Sequence, residues 1–378
     1  MDRPRSSLSV FNDNRMKLGV FGQNVSHGCC ITIAETTLEP TYEHSVSIAR
    51  KADQLGFELL VPVGRWRGFG GPTDFNGTCM ETYTWATAMA TQTENIMVFS
   101  TSHVPTIHPI VAAKQGATID HVSHGRWGLN IVCGWFTPEM EMFGAKQLPH
   151  DERYGYAREW IQVIKKLWTE QGFDFDGRYF QIRDGYLLPK PVQNPYPVLI
   201  NAGSSPAGRD FSAREVDFNF VSVDTLDNGR EMVRDVKRRA AEYKRTIGTM
   251  TYGLCVAADT EDEALRRYRH IVDRGDWEAT RNIMNVLGIE SGSFDTQIRQ
   301  FAERFIAGWG GYPLVGTPEH IVDQMLELAD AGIEGVILAW LDYDVEIDYF
   351  GARVLPLMEQ AGLRKPRQPS RAAGAERH

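Results

Sequence analysis

Short apolar segments alternate with longer amphipathic ones along most of this chain. The amphipathic segments have helical periodicity; in Glu152–Trp168, for example, apolar residues recur at intervals of three and four. The apolar segments are short enough to be strands buried on both faces. In chain order they are Leu18–Phe21, Glu58–Val63, Ile96–Val104, Trp127–Val132, Val198–Ala202, Phe218–Val223, Thr251–Ala257 and Gly335–Trp340. The pattern predicts about eight strands, each followed by a helical stretch.

Regular alternation of strands and helices indicates parallel strands, because the chain must cross back over the sheet between one strand and the next. About eight such units in a few hundred residues favour a closed (β/α)8 barrel, the TIM barrel. A doubly wound open sheet is the alternative. Its dinucleotide fingerprint is missing, since Thr73 stands where a third glycine would follow Gly68 and Gly70. We therefore predict an α/β fold, with one TIM-barrel domain spanning residues 16–363.

Four segments fall outside the repeat: residues 1–15, 172–197, 277–311 and 364–378. The two terminal segments are polar and predict flexible tails. In the first insertion, Phe173–Phe180 alternates like a hairpin with a turn at Asp176–Gly177. Insertions on barrels commonly cover the active-site mouth or form contacts between subunits.

Composition excludes several classes of function. The chain has 40 Lys and Arg against 49 Asp and Glu, and this net charge of −9 argues against nucleic acid as a partner. Its five cysteines are odd in number and form no C-x-x-C pair, which favours a reducing cytoplasm. No apolar run approaches the ~20 residues of a membrane span. Clustered residues at metal-ligand spacing are also missing, so we expect no metal.

Polar residues stand where the predicted strands end, which is where barrel enzymes carry their chemistry. Gly64 and Arg65 follow the second strand, and His103 ends the third. Asn130 lies within the fourth strand, although a buried amide costs free energy unless its hydrogen bonds are met. A planar heteroaromatic ligand could meet them, and so could neighbouring strands. His103 and Asn130 are therefore the candidate catalytic residues, although His103 is as readily interpreted as a structural histidine, and the residues identify no general base.

A second group of residues suits the phosphate end of a ligand. Ser204 lies in a turn between a strand and a helix, where backbone N–H groups can hold a phosphate. Arg153 and Tyr154 lie early in another helix; arginine suits a phosphate, and tyrosine suits a ring or hydroxyl. An ordinary capped turn and two packing residues are the alternative interpretation. Cys133 has no identifiable base beside it and is interpreted as a packing residue.

Several stretches, in shared order and spacing, resemble the luciferase-like flavin-dependent monooxygenase superfamily. They are Met16–Phe21, Arg67–Phe75, Ala117–Asp120, Gly125–Asn130, Gly134–Trp135, Phe211–Arg214 and Asp217–Phe220. Within the superfamily, the chain is most similar to the pyrimidine monooxygenases that open the uracil ring. The stretches Asn130–Phe136 and His150–Tyr154 are also similar to those of dimethylsulfone monooxygenases.

The resemblance implies a TIM barrel that binds FMN. Transferred by position, the family's FMN contacts fall on Gly64, Arg65, Asn130, Glu139, Arg153, Tyr154 and Ser204. It also implies a two-component monooxygenase that takes FMNH2 and O2 and uses NAD(P)H only through a separate NAD(P)H:flavin reductase. The small-molecule substrate would be a heterocycle or amide that is cleaved at a C–N or other carbon–heteroatom bond. A homo-oligomer, dimer or tetramer, is implied as well. The alternatives are a sulfone or sulfonate monooxygenase, a deazaflavin-dependent reductase and a non-catalytic flavin-binding protein.

Overall fold

The computed structural model describes residues 3–288 and 296–366. Eight strands form its centre: β1 (Lys17–Phe21), β2 (Leu59–Val61), β3 (Met97–His103), β4 (Trp127–Val132), β5 (Val198–Asn201), β6 (Phe218–Phe220), β7 (Gly248–Ala257) and β8 (Gly335–Ala339). The helices are α1 (Tyr42–Gln54), α2 (Thr82–Gln92), α3 (Pro109–Val122), α4 (Thr137–Met142), α5 (His150–Thr169), α6 (Pro206–Glu215), α7 (Leu226–Glu242), α8 (Glu261–Asp273), α9 (Trp277–Val286), α10 (Thr296–Gly308), α11 (Pro318–Asp330), α12 (Tyr343–Tyr349) and α13 (Leu355–Gln360), with a π-helical turn at Phe350–Val354. None of these described helices is both long and apolar enough to cross a membrane.

The eight strands form a closed parallel barrel. Each strand from β1 to β7 pairs in parallel with the next one along the chain, and β8 pairs with β1 through Val336 and Leu18. A further parallel strand, Tyr312–Gly316, extends the sheet outside the barrel beside the end of β7. The predicted TIM barrel is confirmed, and every predicted strand lies within a few residues of an observed one.

Alternation along β3 separates the apolar interior from a polar upper end. Met97 and Phe99 lie in the barrel core, whereas Thr101 and His103 line a cavity above it. Phe99 takes the space opposite Gly128, where a Cβ would lie 2.2 Å from the Phe99 ring. The glycine in β4 is therefore required by the aromatic ring beside it, since barrel interiors are filled with side chains in layers.

Gly128→Ala is expected to lower the free energy of unfolding by about 1 kcal/mol or more, because the added methyl group overpacks the core against Phe99. Urea unfolding of the purified variant measures this. Phe99→Leu in the same chain should recover part of the loss by making room. A Gly128→Ala variant as stable as the wild type would show that the ring moves aside freely.

The N-terminal segment does not form the predicted loose tail. Leu8 and Val10 are fully buried and close the lower end of the barrel, and Arg3–Pro4 pairs in parallel with Gln193–Asn194. The prediction was wrong for residues 3–15, because their few apolar side chains cover the amino ends of the strands. Residues 1–2 lie outside the described part.

The C-terminal boundary is also later than predicted. Arg364 is 7% exposed and donates a hydrogen bond of 2.8 Å from its guanidinium to the buried Glu58 carboxylate. Glu58 in turn accepts hydrogen bonds from Asn12 and Asn14 of the N-terminal segment. The first and last described segments are therefore both hydrogen-bonded to Glu58 beneath the barrel. Residues 367–378 of the predicted tail lie outside the described part.

Both insertions form structure of their own. Phe173–Asp176 and Gln181–Gly185 make the predicted hairpin, but its turn spans residues 177–180 rather than Asp176–Gly177. The Glu159 carboxylate of α5 accepts hydrogen bonds from three successive backbone N–H groups of that turn, at 2.7 to 3.2 Å, and this fixes it. The described residues of segment 277–311 form α9 and α10, which lie over the barrel mouth.

Candidate active site

A cavity of about 610 Å³ opens at the carboxyl end of the barrel. Its walls come from the ends of β2 to β5, from α5 and from the late insertion. Of the residues predicted from sequence, it is lined by Gly64, Arg65, His103, Asn130, Cys133, Arg153 and Tyr154. The volume falls in the range of cofactor and substrate sites. Residues separated by nearly a hundred positions thus meet where the barrel strands end.

Asn130 presents an unsatisfied polar atom to this cavity. Its side chain is 7% exposed, and its Nδ2 donates a hydrogen bond of 3.1 Å to Thr101 Oγ1 on the neighbouring strand. Thr101 Oγ1 in turn donates to the backbone carbonyl of Pro62, which fixes the hydroxyl. The Asn130 Oδ1 atom is buried and has no hydrogen-bond partner among the described residues. A buried carbonyl oxygen without a hydrogen bond costs free energy, and this one borders a cavity from which a donor could reach it.

Behind the cavity wall lies a buried ionic group. Glu139 is fully buried in α4, with Oε1 3.2 Å from an Arg65 guanidinium nitrogen and Oε2 3.0 Å from His103 Nδ1. The backbone N–H of Trp66 also donates to Oε1, at 2.7 Å. Arg65 is 7% exposed, and its guanidinium lies 4.8 Å from the centre of the Phe69 ring. Glu139 therefore joins the ends of β2 and β3.

The charges of this group stabilise one another. Burial alone would raise the pKa of the Glu139 carboxyl, but the His103 hydrogen bond and the Arg65 charge outweigh it and hold the pKa below its ordinary value. Burial also lowers the pKa of Arg65, against the attraction of Glu139. Glu139 does not line the cavity. Its carboxylate oxygens face the protein, where they contact Arg65, His103 and the Trp66 backbone. Glu139 was predicted to contact FMN directly, but the structure places it behind Arg65 and His103, which do line the cavity.

At the far end of the cavity, α5 lies beside the first turn of α6. Arg153 donates a 3.1 Å hydrogen bond to the Gly134 carbonyl, and none of the described residues is a partner for its buried Nε. The Tyr154 hydroxyl lies at the start of α6, 2.7 Å from the position of a Cβ built on Gly208. Ser204 does not line the cavity; Gly203 beside it does. The turn that precedes Pro206 directs the Ser204 carbonyl to Arg209 instead.

Aromatic side chains form the outer rim. Trp309, from the segment after α10, lines the cavity opposite Trp135, with ring centres 6.3 Å apart. Phe69 stacks on Trp135 at 6.0 Å. Val286 and Leu287, at the end of α9, complete this side. The late insertion thus forms part of the cavity wall, as insertions near a barrel mouth often do.

Three polar residues outside the predicted set of site residues support the site. Thr101 orients Asn130, and Asn201 accepts hydrogen bonds from the Gly203 N–H and the Ser212 hydroxyl, both at 2.8 Å. Asn219 donates to the Asn201 carbonyl at 3.1 Å. Alternation along β3 could have identified Thr101, since it shares a face with Phe99 and His103. Asn219 gives no local signal, because its partners lie 7 to 18 positions away.

The remaining candidates for reactive chemistry are the Cys133 thiol and a bound metal ion. Burial raises the pKa of the Cys133 thiol to about 12, against the opposing charge of Arg153, so it stays protonated at neutral pH. Among the described residues, no group of three or more His, Cys, Asp or Glu side chains is arranged to hold a metal ion. The site consists instead of amide, hydroxyl and guanidinium groups around a central cavity.

Comparison with known proteins gives concordant matches. Residues 16–335 match the family model described as luciferase-like monooxygenase. The pyrimidine monooxygenase RutA of Acinetobacter baylyi is 32% identical over 353 residues, which cover 91% of this chain and 95% of the relative. RutA of Escherichia coli K12 is 33% identical over 369 residues, covering 94% and 95%. Among solved structures, the riboflavin lyase RcaE, with modified FMN and riboflavin, superposes with a TM-score of 0.83 at 22% identity, covering 92% of each chain.

Proposed function

This chain belongs to the luciferase-like monooxygenase family and is a flavin-dependent monooxygenase, and from this premise we propose that it is the oxygenase of a two-component system. It takes FMNH2 from a separate NAD(P)H:flavin reductase and uses O2 to cleave a C–N or other carbon–heteroatom bond. The substrate is a small heterocycle or amide. Relatives whose names specify pyrimidines, at 32% and 33% identity, support this substrate class.

One observation carries the proposal: the buried Asn130 Oδ1 atom has no partner in the part of the chain that the structure describes, and it borders a cavity large enough for a flavin and a small substrate. A flavin ring has N–H groups that suit this acceptor. Arg153, whose Nε is also buried without a partner, supplies a positive charge for the phosphate. The residues therefore fit FMN, with Asn130 at the ring, and Arg153 and Tyr154 at the phosphate end.

Reduced flavin, when bound, supplies the electrons that activate dioxygen. The protein's own residues bind, orient and shield. Asn130 fixes the ring by its amide, and the Trp135 and Trp309 side chains keep bulk water from the reacting atoms. Glu139 holds the His103 imidazole through Nδ1, which leaves Nε2 free to hold or release a proton at the cavity wall. His103 is thus the candidate for proton transfer.

The test is an anaerobic titration of the purified protein with FMNH2, followed by oxygen and a panel of small heterocycles, amides and sulfones. We expect tight FMNH2 binding and oxygen-dependent turnover of a pyrimidine or related amide, detected by mass spectrometry of the product. Sulfite release from a sulfone would instead identify a sulfone monooxygenase. Hydride transfer with a deazaflavin, or flavin binding without oxygen consumption above that of free FMNH2, would contradict a monooxygenase.

Tyr154→Phe is expected to weaken FMN binding about tenfold or more, because one hydrogen bond to the charged phosphate is lost. Fluorescence titration with oxidised FMN measures the change. Tyr156→Phe is the matched control, since Tyr156 lies on the same helix but packs its ring against Tyr179 and Phe180 of the hairpin. Equal effects of the two changes would show that Tyr154 acts only in packing.

A further inference from the structure

The cavity at the carboxyl end of the barrel has two chemically different sides. The basic side chains among its described residues follow β2 and β3 or lie in α5; they are Arg65, His103, His150 and Arg153. The other side comes from the end of β1 and the loop after it, from the loop before α2 and from the segment after α10. We call this side the uncharged wall and define it as Phe21, Gly28, Cys29, Asn76 and Trp309. Burial raises the pKa of the Cys29 thiol to about 12, so the wall carries no charge at neutral pH.

Direct contacts make the uncharged wall continuous. Asn76 Nδ2 donates hydrogen bonds to the backbone carbonyls of Ser26 and Gly28, at 3.1 and 3.0 Å. These bonds join the loop before α2 to the loop after β1. Phe75, directly before Asn76, packs against Trp309 with ring centres 5.2 Å apart. Asn76 and the Trp309 indole therefore belong to one packed surface, although they lie far apart along the chain.

Trp309 is held in a strained conformation at the cavity. Its φ is +54°, in the left-handed region where a bulky side chain is an outlier and where helices commonly end on glycine. The Tyr252 hydroxyl donates a hydrogen bond to the Trp309 backbone carbonyl, and the Tyr252 ring packs against Phe21 with ring centres 5.6 Å apart. Strained residues that their surroundings hold in place cluster at functional sites. The position of this indole is therefore a candidate functional feature of the wall.

Asn76 supplies the wall with a hydrogen-bond acceptor. The residue is 2% exposed, and its Nδ2 faces two backbone carbonyls, which fixes the orientation of the amide. None of the described residues donates a hydrogen bond to its Oδ1 atom, and this atom is not enclosed in the protein, so a ligand in the cavity can reach it. The wall thus combines an aromatic face with one amide acceptor, which suits a planar ring that carries an N–H group.

We propose that the uncharged wall is the substrate subsite and that Asn76 and Trp309 determine its specificity: the substrate ring lies against the Trp309 indole and donates a ring N–H to Asn76 Oδ1. This rests on the proposed function and narrows its substrate class to an uncharged planar heterocycle with a ring N–H group. A carboxylate or sulfonate on this wall would lose its hydration without gaining a positively charged partner. Asn76 and Trp309 bind and orient the ring and take no part in the reaction itself.

The experiment measures binding of uracil, 1-methyluracil and 3-methyluracil to the FMN-loaded protein by calorimetry. In the wild type, methylation of one of the two ring nitrogens should weaken binding about tenfold or more, because the donor to Asn76 is lost. Asn76→Gly should remove this penalty by weakening uracil about tenfold; glycine suits the backbone there, where φ is +58°. If the penalty disappears only because the methyl compound binds more tightly, Asn76 is a steric barrier and the inference fails.

His124→Gly is the matched control for the backbone change. It also places glycine at a left-handed position, where φ is +52°, but His124 is exposed between α3 and β4 and does not line the cavity. This variant should keep both the affinity for uracil and the methylation penalty. A penalty lost equally in His124→Gly would show a general effect of the glycine and would overturn the role of Asn76.

Trp309→Leu tests the ring contact separately. It should weaken all three compounds about tenfold and leave the methylation penalty in place, since Asn76 is unchanged. Phe301→Leu is its control, because Phe301 packs on Phe305 within α10 and does not line the cavity. Thermal unfolding confirms that each variant is folded. Wild-type affinity in Trp309→Leu would remove the indole from the subsite.

The remaining outcomes separate this inference from the proposed function. A wild type that tolerates methylation of both nitrogens, or a penalty that survives in Asn76→Gly, would overturn the subsite. Orotate, the 6-carboxylate of uracil, should bind more weakly than uracil, and tighter binding would contradict an uncharged substrate. If uracil is turned over without these preferences, the subsite fails and the proposed function stands. If the preferences appear without oxygen-dependent turnover, the subsite stands and the proposed function fails.

Discussion

Replacing Glu139 by alanine is expected to lower the free energy of unfolding by about 3–5 kcal/mol, because the change leaves the Arg65 guanidinium buried without its counter-ion. Glu139 is completely buried, and its carboxylate contacts Arg65, His103 and the Trp66 backbone N–H. Urea unfolding followed by circular dichroism measures the loss. Glu141→Ala is the matched control, because Glu141 lies exposed on the same helix. We expect a change of about 0.5 kcal/mol or less in the control.

The pH dependence of this loss provides a second check. The folded-state pKa of Glu139 is lowered, so its contribution to stability is fully present above the unfolded-state pKa, about 4.3. The contribution is lost as the pH falls through the folded-state pKa. The difference in unfolding free energy between wild type and Glu139→Ala should therefore be constant between about pH 6 and 8 and should narrow in acid. A difference that persists undiminished at low pH would show that the carboxylate charge is not what stabilises the site.

Local pattern was sufficient to predict the barrel. The segment Trp127–Val132 is an apolar run of strand length bounded by polar residues, and it is a strand with those bounds in the structure. Helix α3 begins at Pro109, and a proline suits the first turn of a helix. Repetition of such units along the chain indicated parallel strands, and the family resemblance that the sequence carried is confirmed.

The errors at the two ends have one physical cause. Leu8 and Val10 are too few to give a periodic signal, and their burial depends on the open lower end of a barrel formed by distant strands. Arg364 is buried because it contacts Glu58, a residue 306 positions away along the chain. The polar sequence around Arg364 contains no local pattern that would predict contact with a residue so distant along the chain. Termini of this kind are therefore interpreted as tails until the fold shows what they cover.

The candidate site could be predicted only in part, because some of its residues are placed by the strand–helix repeat and others by contacts between distant strands. Gly64, Asn130 and Arg153 line the cavity because strand and helix ends in a barrel converge on one face, so their position in the repeat was informative. Glu139 has a different place because its orientation depends on Arg65 and His103, which come from other strands. The position of a charged residue in a motif thus indicates the neighbourhood of the site, whereas its contacts depend on the complete fold.

Asn130→Ala is expected to weaken FMN binding about 100-fold, which corresponds to about 2.7 kcal/mol. The change removes the one buried acceptor that faces the cavity from β4, so a donor on the ring would be enclosed without a partner. Folding should be little affected, because across residues 3–288 and 296–366 the side chain makes only the 3.1 Å hydrogen bond to Thr101. Fluorescence titration with oxidised FMN gives the affinity, and thermal unfolding confirms the fold.

Two further variants make the Asn130 result specific. Asn95→Ala removes an exposed amide just before β3 and should bind FMN like the wild type. Asn130→Asp keeps the shape and an acceptor oxygen but removes the Nδ2 donor to Thr101 and adds a charge. Because the charge must be desolvated in a buried cavity, we expect Asn130→Asp to bind FMN weakly near pH 7 and to recover affinity in acid, where the carboxyl is neutral. If Asn130→Ala bound FMN with wild-type affinity, the flavin would not depend on this amide. The main argument for assigning this cavity to FMN would then be wrong.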